Sequence, residues 1–158
     1  MNYTKIRKEE FEKLKSIFPD NEEMWQKYKE KRLKQFENKE IDIFIIEQNS
    51  EIIAEITVNY INHDLQTETI PNIRTYLEAF RVDKKYQGQG IGQKLINSVI
   101  ESLSKDGYTE FTIGVEDDNK IAKHIYFKLG FTEEIDKGRV NEFDSCEYTL
   151  YLKRVNKK

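Results

Sequence analysis

The feature that most constrains the fold is a glycine-rich turn that joins a strand pattern to a helix pattern. Residues Arg74–Val82 predict a strand, the turn spans residues 87–92, and from Ile91 onwards apolar side chains recur at helical spacing. A helix that starts directly after such a turn leaves its first backbone N–H groups without intrahelical partners, and its dipole favours negative charge there. We therefore expect this strand, turn and helix to form a site for a phosphate group.

The rest of the chain predicts a mixed α/β order. Helices are expected over residues 8–18, 22–38 and 119–129, and strands over residues 3–7, 43–47, 52–58, 111–115 and 146–152, with another near 132–136. The chain has two prolines and seven glycines, with no repeat and no Ser/Gly linker, so nothing marks a domain boundary. We expect one domain over residues 1–158.

The charge and the cysteine content exclude several classes of function. Charged residues make up 35 % of the chain but leave a net charge of −3, with no long block of one sign, which argues against a nucleic-acid partner. The N-terminus lacks the pattern of a secretory signal, and no apolar run approaches the roughly 20 residues that span a bilayer. Cys146 is the single cysteine, so it can neither close an intramolecular disulfide nor supply the paired spacing of a zinc site. The sequence predicts a cytoplasmic protein with no metal and no membrane partner.

Two common phosphate-binding motifs do not fit the turn. The dinucleotide fingerprint Gly-x-Gly-x-x-Gly, counted from Gly88, reaches Gly90 and then Gln93 in place of the third glycine. The P-loop ends in Gly-Lys-Ser or Gly-Lys-Thr, whereas Gly92 is followed by Gln93-Lys94. A structural turn without a ligand is the remaining alternative at this point.

The segment Gln87-Gly88-Gln89-Gly90-Ile91-Gly92 resembles the Gln/Arg-x-x-Gly-x-Gly/Ala motif of the GNAT superfamily of N-acetyltransferases. The family has a second element, Asn-x-x-Ala-x-x-x-Tyr-x-x-x-Gly-Phe. Its counterparts downstream are Asn119, Ala122, Tyr126, Gly130 and Phe131. Two independent motifs in the family's order make the resemblance specific, and it covers about residues 41–152.

The resemblance implies the GNAT fold, a central mixed, mostly antiparallel sheet of six or seven strands with splayed strands 4 and 5, flanked by about four helices. It also implies acetyl-coenzyme A as co-substrate, with pantetheine bound along the fourth strand and the pyrophosphate on the turn. The coenzyme-binding positions that it implies are Phe80, Val82, Gln87, Gly88, Gly90, Ile91, Gly92, Lys94 and Asn119.

Two residues receive catalytic roles from the resemblance. Tyr126 occupies the position of the family's general acid, although its ring could instead pack the helix against the sheet. Glu78, four residues before Val82, lies where several members carry a glutamate that faces the acceptor, and the alternative is a strand glutamate paired with a cation. Glu116, at the end of the fifth strand, is the second candidate for the base, and many members use no strong base.

Other residues are weaker candidates. We expect His63 in a solvated loop, His124 on an exposed helix face and Cys146 in a buried strand, none of them catalytic. Trp25, Tyr28 and Phe36 on the second helix are expected either in the core or along the acceptor pocket.

The resemblance predicts an N-acetyltransferase that moves the acetyl group to a primary amine of a small molecule or protein by direct attack in a ternary complex. The alternatives are a non-catalytic coenzyme A-binding module and an acyltransferase with a longer acyl-CoA donor. The acceptor pocket is expected from residues 8–40, 63–75 and 135–145, whose acidic residues favour a cationic amine. Dimers are common in the family, so the resemblance allows a homodimer.

Overall fold

The computed structural model describes residues 1–62, 67–140 and 146–156. Over these residues the chain has seven strands: β1 (Asn2–Lys5), β2 (Ile41–Gln48), β3 (Glu51–Asn59), β4 (Arg74–Val82), β5 (Glu110–Glu116), β6 (Glu133–Val140) and β7 (Glu147–Arg154). In the same described ranges it has three α-helices and two 3₁₀ helices: α1 (Glu22–Glu37), α2 (Ile91–Lys105), α3 (Lys120–Lys128), η1 (Lys8–Ile17) and η2 (Lys84–Tyr86).

The strands belong to a mixed sheet in the order β1-β2-β3-β4-β5-β7-β6. Neighbouring strands are antiparallel in the pairs β1–β2, β2–β3, β5–β7 and β6–β7, whereas β4 and β5 are parallel. The parallel ladder joins Arg74–Leu77 to residues 110–113. Within the described residues the ladder ends there, although β4 continues to Val82 and β5 to Glu116, as expected for strands that splay apart. The expected mixed, mostly antiparallel sheet with about four flanking helices is confirmed.

The chain divides into two compact units that each combine separate stretches of sequence. The first holds Met1–Asn59 and Ala79–Val99, and the second holds Tyr60–Glu78 and Ile100–Lys158. The expectation of a single domain over residues 1–158 stays a prediction.

In the first unit, η1 and α1 cover one face of β2 and β3. Alternate residues of β2 point at these helices because successive side chains of a strand face opposite sides of the sheet. The buried cluster consists of Ile6, Phe11, Leu14, Trp25, Tyr28, Ile41, Ile43, Ile45 and Ile52. Trp25 and Tyr28 are therefore core residues, and Phe36 packs partly buried against the same cluster.

Helix α1 begins where the sequence provides a cap. The side chain of Asn21 accepts a hydrogen bond from the backbone N–H of Met24 at 3.0 Å, and two acidic residues, Glu22 and Glu23, lie in the first turn. An accepting N-cap and negative charge at the N-terminus both stabilise a helix.

In the second unit, β5 and β7 form the buried centre. Phe111 and Leu150 are fully buried there, and Ile113 lies opposite Tyr151 in the ladder. Helix α3 packs on the same face through Phe127, whose ring meets that of Tyr151 edge-on with centroids 5.1 Å apart. This ring contact places α3 against β7 of its own unit.

Two local structures differ from the sequence expectations. The helix expected over residues 8–18 is a 3₁₀ helix over residues 8–17, in which Phe11, Leu14 and Ile17 are three residues apart and align on one face at three residues per turn. The turn also does not follow β4 directly, since η2 intervenes, with Asp83 accepting a hydrogen bond from the backbone N–H of Lys85.

In the described part of the chain, no helix is both long enough and apolar enough to cross a bilayer. The expectation of a cytoplasmic location stays a prediction.

Candidate active site

The glycine turn lies in the first unit and is exposed. Gly88 and Gly90 have φ values of 79° and 78°, and a Cβ added at either would meet no atom within 4 Å. These glycines are thus required by the backbone conformation and not by lack of space, because φ values near +80° are costly for other residues. Their open surroundings leave the backbone of the turn accessible to a ligand.

Gly92 has a different role. A Cβ there would lie 2.6 Å from Cζ of Phe80 and 3.4 Å from Cγ2 of Val82. The first turn of α2 therefore approaches β4 so closely that no side chain fits. The turn is further tied to the strand by Gln87, whose Nε2 donates to the carbonyl oxygen of Val82 at 2.9 Å.

The electrostatics of this region favour an anion. Helix α2 has no acidic residue in its first turn. Lys84 and Lys85 precede the turn in η2, and Lys94 lies exposed after Ile91, which begins the helix. A helix N-terminus with lysines around it is a favourable environment for phosphate oxygens. The predicted pyrophosphate positions Gln87, Gly88, Gly90, Ile91, Gly92 and Lys94 thus lie together on one turn.

No feature of the sequence predicts the backbone conformation of Ala79. This residue has a φ of 53° in the middle of β4, between Glu78 and Phe80. The left-handed region costs a non-glycine residue roughly 1–2 kcal/mol, and alanine is not a residue type that favours it. The chain passes from the second unit to the first at this point, and the side chains of Phe80 and Val82 then point at α2.

The family-like Asn-x-x-Ala-x-x-x-Tyr segment begins at the N-cap of α3 and continues along this helix in the second unit. Asn119 caps this helix, with its side chain accepting from the backbone N–H of Ala122 at 3.0 Å. Tyr126 packs edge-on against Phe131, with ring centroids 6.3 Å apart, and burial raises its pKa to about 12. The Tyr126 hydroxyl is therefore protonated throughout the neutral range.

Glu68 is a buried carboxylate that sequence reasoning missed, because it lies in a polar stretch before β4. Its side chain is 1 % exposed. Oε2 accepts from Nδ2 of Asn62 at 2.5 Å, and Oε1 lies 3.4 Å from Nη1 of Arg139. Desolvation raises the pKa of Glu68 from its ordinary 4.5 to about 7, against the opposing effects of Arg139 and Asn62, and the charge of Glu78 adds to the rise.

Glu78 and two tyrosines lie around the same cluster. Gly114 provides the space, since a Cβ there would lie 2.9 Å from the ring of Tyr148 and 3.3 Å from the hydroxyl oxygen of Tyr76. Burial raises the pKa of Tyr148, and the negative charges of Glu68 and Glu78 raise it further. The charge of the half-buried Glu78, the predicted base, thus raises the pKa of both Glu68 and Tyr148 within the second unit.

A buried ion pair in the first unit was also not expected. Arg81 of β4 bonds Glu55 of β3, and the guanidinium lies 5.1 Å from the ring centroids of both Phe18 and Tyr28. Glu55 is fully buried, and its Oε2 has no hydrogen-bond partner among the described residues. Tyr28 thus combines its core role with contact to a buried charge.

Three further candidates, Glu116, His124 and Cys146, lie among the described residues. Glu116 ends β5, where its carbonyl accepts from the backbone N–H of Asn119. His124 is exposed on α3, Cys146 is half-buried just before β7, and His63 lies outside the described residues. Among residues 1–62, 67–140 and 146–156, no three His, Cys, Asp or Glu side chains are grouped as metal ligands.

The model of the acetyltransferase (GNAT) family matches residues 5–131 of the chain. The chain belongs to the GNAT family. Its matched region contains the glycine turn, Glu68, Glu78 and all of α3.

Named relatives agree with this GNAT membership. The chain is 31 % identical over 81 residues to N-alpha-acetyltransferase 30 of Schizosaccharomyces pombe, covering 50 % of this chain and 54 % of that protein. It is 44 % identical over 55 residues to thialysine N-epsilon-acetyltransferase of Sus scrofa, covering 35 % of this chain and 32 % of the relative. The matched part of the GNAT chain thus spans about half or less of these relatives.

A solved GNAT-fold structure extends the likeness to nearly the whole chain. The crystal structure of the PaiA N-acetyltransferase of Thermoplasma acidophilum in complex with coenzyme A superimposes with a TM-score of 0.69 at 20 % identity, covering 98 % of each chain. At this identity the likeness shows the fold.

Proposed function

We propose that this chain is an acetyl-coenzyme A dependent N-acetyltransferase that acts on a primary amine by direct attack in a ternary complex. The observation that carries the proposal is the accessible turn of Gly88 and Gly90 at the N-terminus of α2 in a member of the GNAT family. Both glycines leave open space where side chains would otherwise stand, which suits the close approach of a pyrophosphate to backbone N–H groups.

The coenzyme would be held by the turn and by β4. Gln87, Gly88, Gly90, Ile91 and Gly92 would contact the pyrophosphate, with Lys94 adding positive charge. Main-chain groups of Phe80 and Val82 would bond the pantetheine amides, and Asn119, which caps α3, would reach the same arm. Acetyl-coenzyme A supplies an activated acetyl thioester with a thiolate leaving group.

Two side chains would move the protons of the reaction. A neutral amine is needed for attack on the thioester carbon, so Glu78 would accept the proton that the nitrogen loses as the new C–N bond forms. Tyr126 would donate its hydroxyl proton to the departing thiolate; burial raises its pKa to about 12, so the hydroxyl is protonated at neutral pH and is a weaker acid than an exposed tyrosine. The products are an amide and a free thiol.

The acceptor is an amine of a small molecule or a protein. One relative is named for α-amines and another for an ε-amine, so both classes belong in the test. The negative charges of Glu78 and Glu68 favour a cationic acceptor, although the charge of Arg139 offsets part of them.

The test follows free thiol release from acetyl-coenzyme A in the presence of an N-terminal peptide amine, thialysine, a polyamine or no acceptor. Turnover with at least one amine is expected, and mass spectrometry should show an added acetyl group on nitrogen. Tight coenzyme binding by calorimetry without turnover on any amine would contradict the proposal and support a coenzyme-binding module. Faster turnover with a longer acyl-coenzyme A would show that the preferred donor is this acyl-coenzyme A and not acetyl-coenzyme A.

A further inference from the structure

The side chain of Lys153, on β7, reaches the C-terminal end of α3. Its Nζ donates a hydrogen bond of 2.6 Å to the backbone carbonyl oxygen of Leu129, which is the C-cap residue of this helix. The last carbonyl groups of a helix have no partner within the helix, and the helix dipole favours a positive charge beside them. Lys153 thus supplies both a donor and a favourable charge at this end of α3.

Gly130 provides the space for the lysine side chain. It follows the C-cap with a φ of 99°, and a Cβ there would lie 3.2 Å from Cε and 3.3 Å from Cδ of Lys153. The glycine is therefore required by its left-handed conformation and also by the lysine stem that lies against it. Burial lowers the pKa of Lys153, because the half-buried ammonium group has lost part of its hydration.

The same helix end holds Tyr126. The backbone carbonyl oxygen of Tyr126 accepts a hydrogen bond from the N–H of Phe131 at 3.0 Å, and the N–H of Gly130 donates to the carbonyl oxygen of Phe127 at 3.0 Å. These two bonds form a Schellman motif, with Gly130 at its left-handed position. The Tyr126 ring also packs against Phe131, which is fully buried. A displacement of the last turn of α3 therefore displaces Tyr126 as well.

Helix α3 contacts β7 at two points. Lys153 and Tyr151 are two residues apart on the strand, so their side chains point to the same side of the sheet. The ring of Tyr151 meets Phe127 of the helix, and Nζ of Lys153 meets the carbonyl oxygen of Leu129. The helix has nine residues, and isolated helices shorter than about 12 residues are marginal in water. Its position therefore depends on such tertiary contacts.

We propose that Lys153 is a positioning residue for the general acid, because its contact with the C-terminus of α3 sets the orientation of the Tyr126 hydroxyl. The inference rests on the proposed function, in which Tyr126 protonates the departing thiolate. Lys153 acts through Tyr126 and not on the substrates.

The first test replaces Lys153 by methionine, which keeps an unbranched apolar stem against Gly130 and removes the ammonium group. Lys153→Met should lower kcat about 5-fold, which is less than the roughly 10-fold loss expected when the Tyr126 hydroxyl itself is removed. The KM for the acceptor amine and the affinity for coenzyme A, measured by calorimetry, should not change. An unchanged kcat would overturn the inference.

A double-mutant cycle shows whether Lys153 acts through Tyr126. In the Tyr126→Phe background, Lys153→Met should cause no further loss of kcat, because the hydroxyl that Lys153 orients is already absent. Equal losses of kcat in the two backgrounds would contradict the inference, since they would show a structural effect that is independent of the hydroxyl.

Lys128→Met is the matched control. Lys128 is also a cation in the last turn of α3, but its side chain is exposed. This variant should keep the wild-type kcat in both backgrounds. A loss as large as that of Lys153→Met would assign the effect to positive charge near the helix end and not to the contact with Leu129. Thermal unfolding followed by circular dichroism confirms that each variant is folded.

A further test needs no turnover and separates the inference from the proposed function. In protein labelled with carbon-13 in the tyrosine rings, the NMR signal of Tyr126 is assigned by its loss in Tyr126→Phe. This signal should shift in Lys153→Met and keep its position in Lys128→Met. An unshifted signal in Lys153→Met refutes the inference, whereas the expected shift in a protein that acetylates no amine refutes only the function.

Discussion

The glycine turn of the first unit and the carboxylate cluster of the second are built in opposite ways. Gly88 and Gly90 are exposed, have positive φ and face open space. In the second unit Gly114 faces the ring of Tyr148 and the hydroxyl of Tyr76, and the carboxylate of Glu68 is buried. One region offers backbone N–H groups to an anion, and the other places negative side chains near a phenol. A site made of backbone groups can therefore be predicted from consecutive residues. A site made of side chains is assembled from residues that are distant in the sequence.

The largest effect on activity is expected from a change in the carboxylate cluster of the second unit. Glu78→Gln is expected to lower kcat about 100-fold, because general-base catalysis typically contributes at least that factor. The affinity for coenzyme A, measured by calorimetry, should not change. If this variant also lost affinity for coenzyme A, the carboxylate cluster would contribute to coenzyme binding, and the two regions would not have separate roles.

Gly92→Ala tests the close packing of the glycine turn region against β4. The new methyl group would lie 2.6 Å from the Phe80 ring, so overpacking should lower the free energy of unfolding by about 1–3 kcal/mol in urea titrations. The double variant Gly92→Ala, Phe80→Leu should recover part of this loss. Gly88→Ala, which meets open space, should lose only about 1 kcal/mol through its positive φ. Equal losses in the two single variants would contradict the distinction between packing and backbone conformation.

Tyr126→Phe should lower turnover about 10-fold, a smaller effect because solvent can protonate a thiolate leaving group in part. Coenzyme affinity and thermal stability should stay near the wild-type values, since the ring that packs on Phe131 is retained. Full activity in single-turnover measurements would leave Tyr126 with a packing role alone.

The last expected effect is a pH dependence of stability. The folded-state pKa of Glu68 is raised from 4.5 to about 7, so the folded chain binds this proton more tightly than the unfolded chain does. The contribution of Glu68 to stability is therefore lost as pH rises through this window. Glu68→Gln should gain stability relative to the wild type between pH 5 and pH 8, measured by urea unfolding at both values. An unchanged difference at the two pH values would argue against a buried, proton-holding Glu68.

Most of the fold could be predicted because its information is local. The β-branched runs of β2 and β3, the helical spacing after Ile91 and the turn of residues 87–92 each depend on neighbouring residues. The 3₁₀ geometry of residues 8–17 was not predicted, since spacing by three also occurs in an α-helix.

The part of the candidate site that is formed by consecutive residues could be predicted, whereas the part formed by distant residues could not. The turn was found from six consecutive residues. Glu68 and Arg139 are 71 residues apart in the chain and meet only through the pairing of β6 with β7 and the path of the segment before β4. The positive φ of Ala79 follows from tertiary context, because alanine has no intrinsic preference for that conformation.

The buried pair of Glu55 and Arg81 has a consequence for how this chain can diverge. Removing one member leaves a buried charge and typically costs about 3–5 kcal/mol, whereas exchanging both for apolar residues is often neutral. Descendants should therefore keep both residues or replace both, and single exchanges should be rare intermediates. Aligned relatives that vary the two positions independently would show that the pair is dispensable.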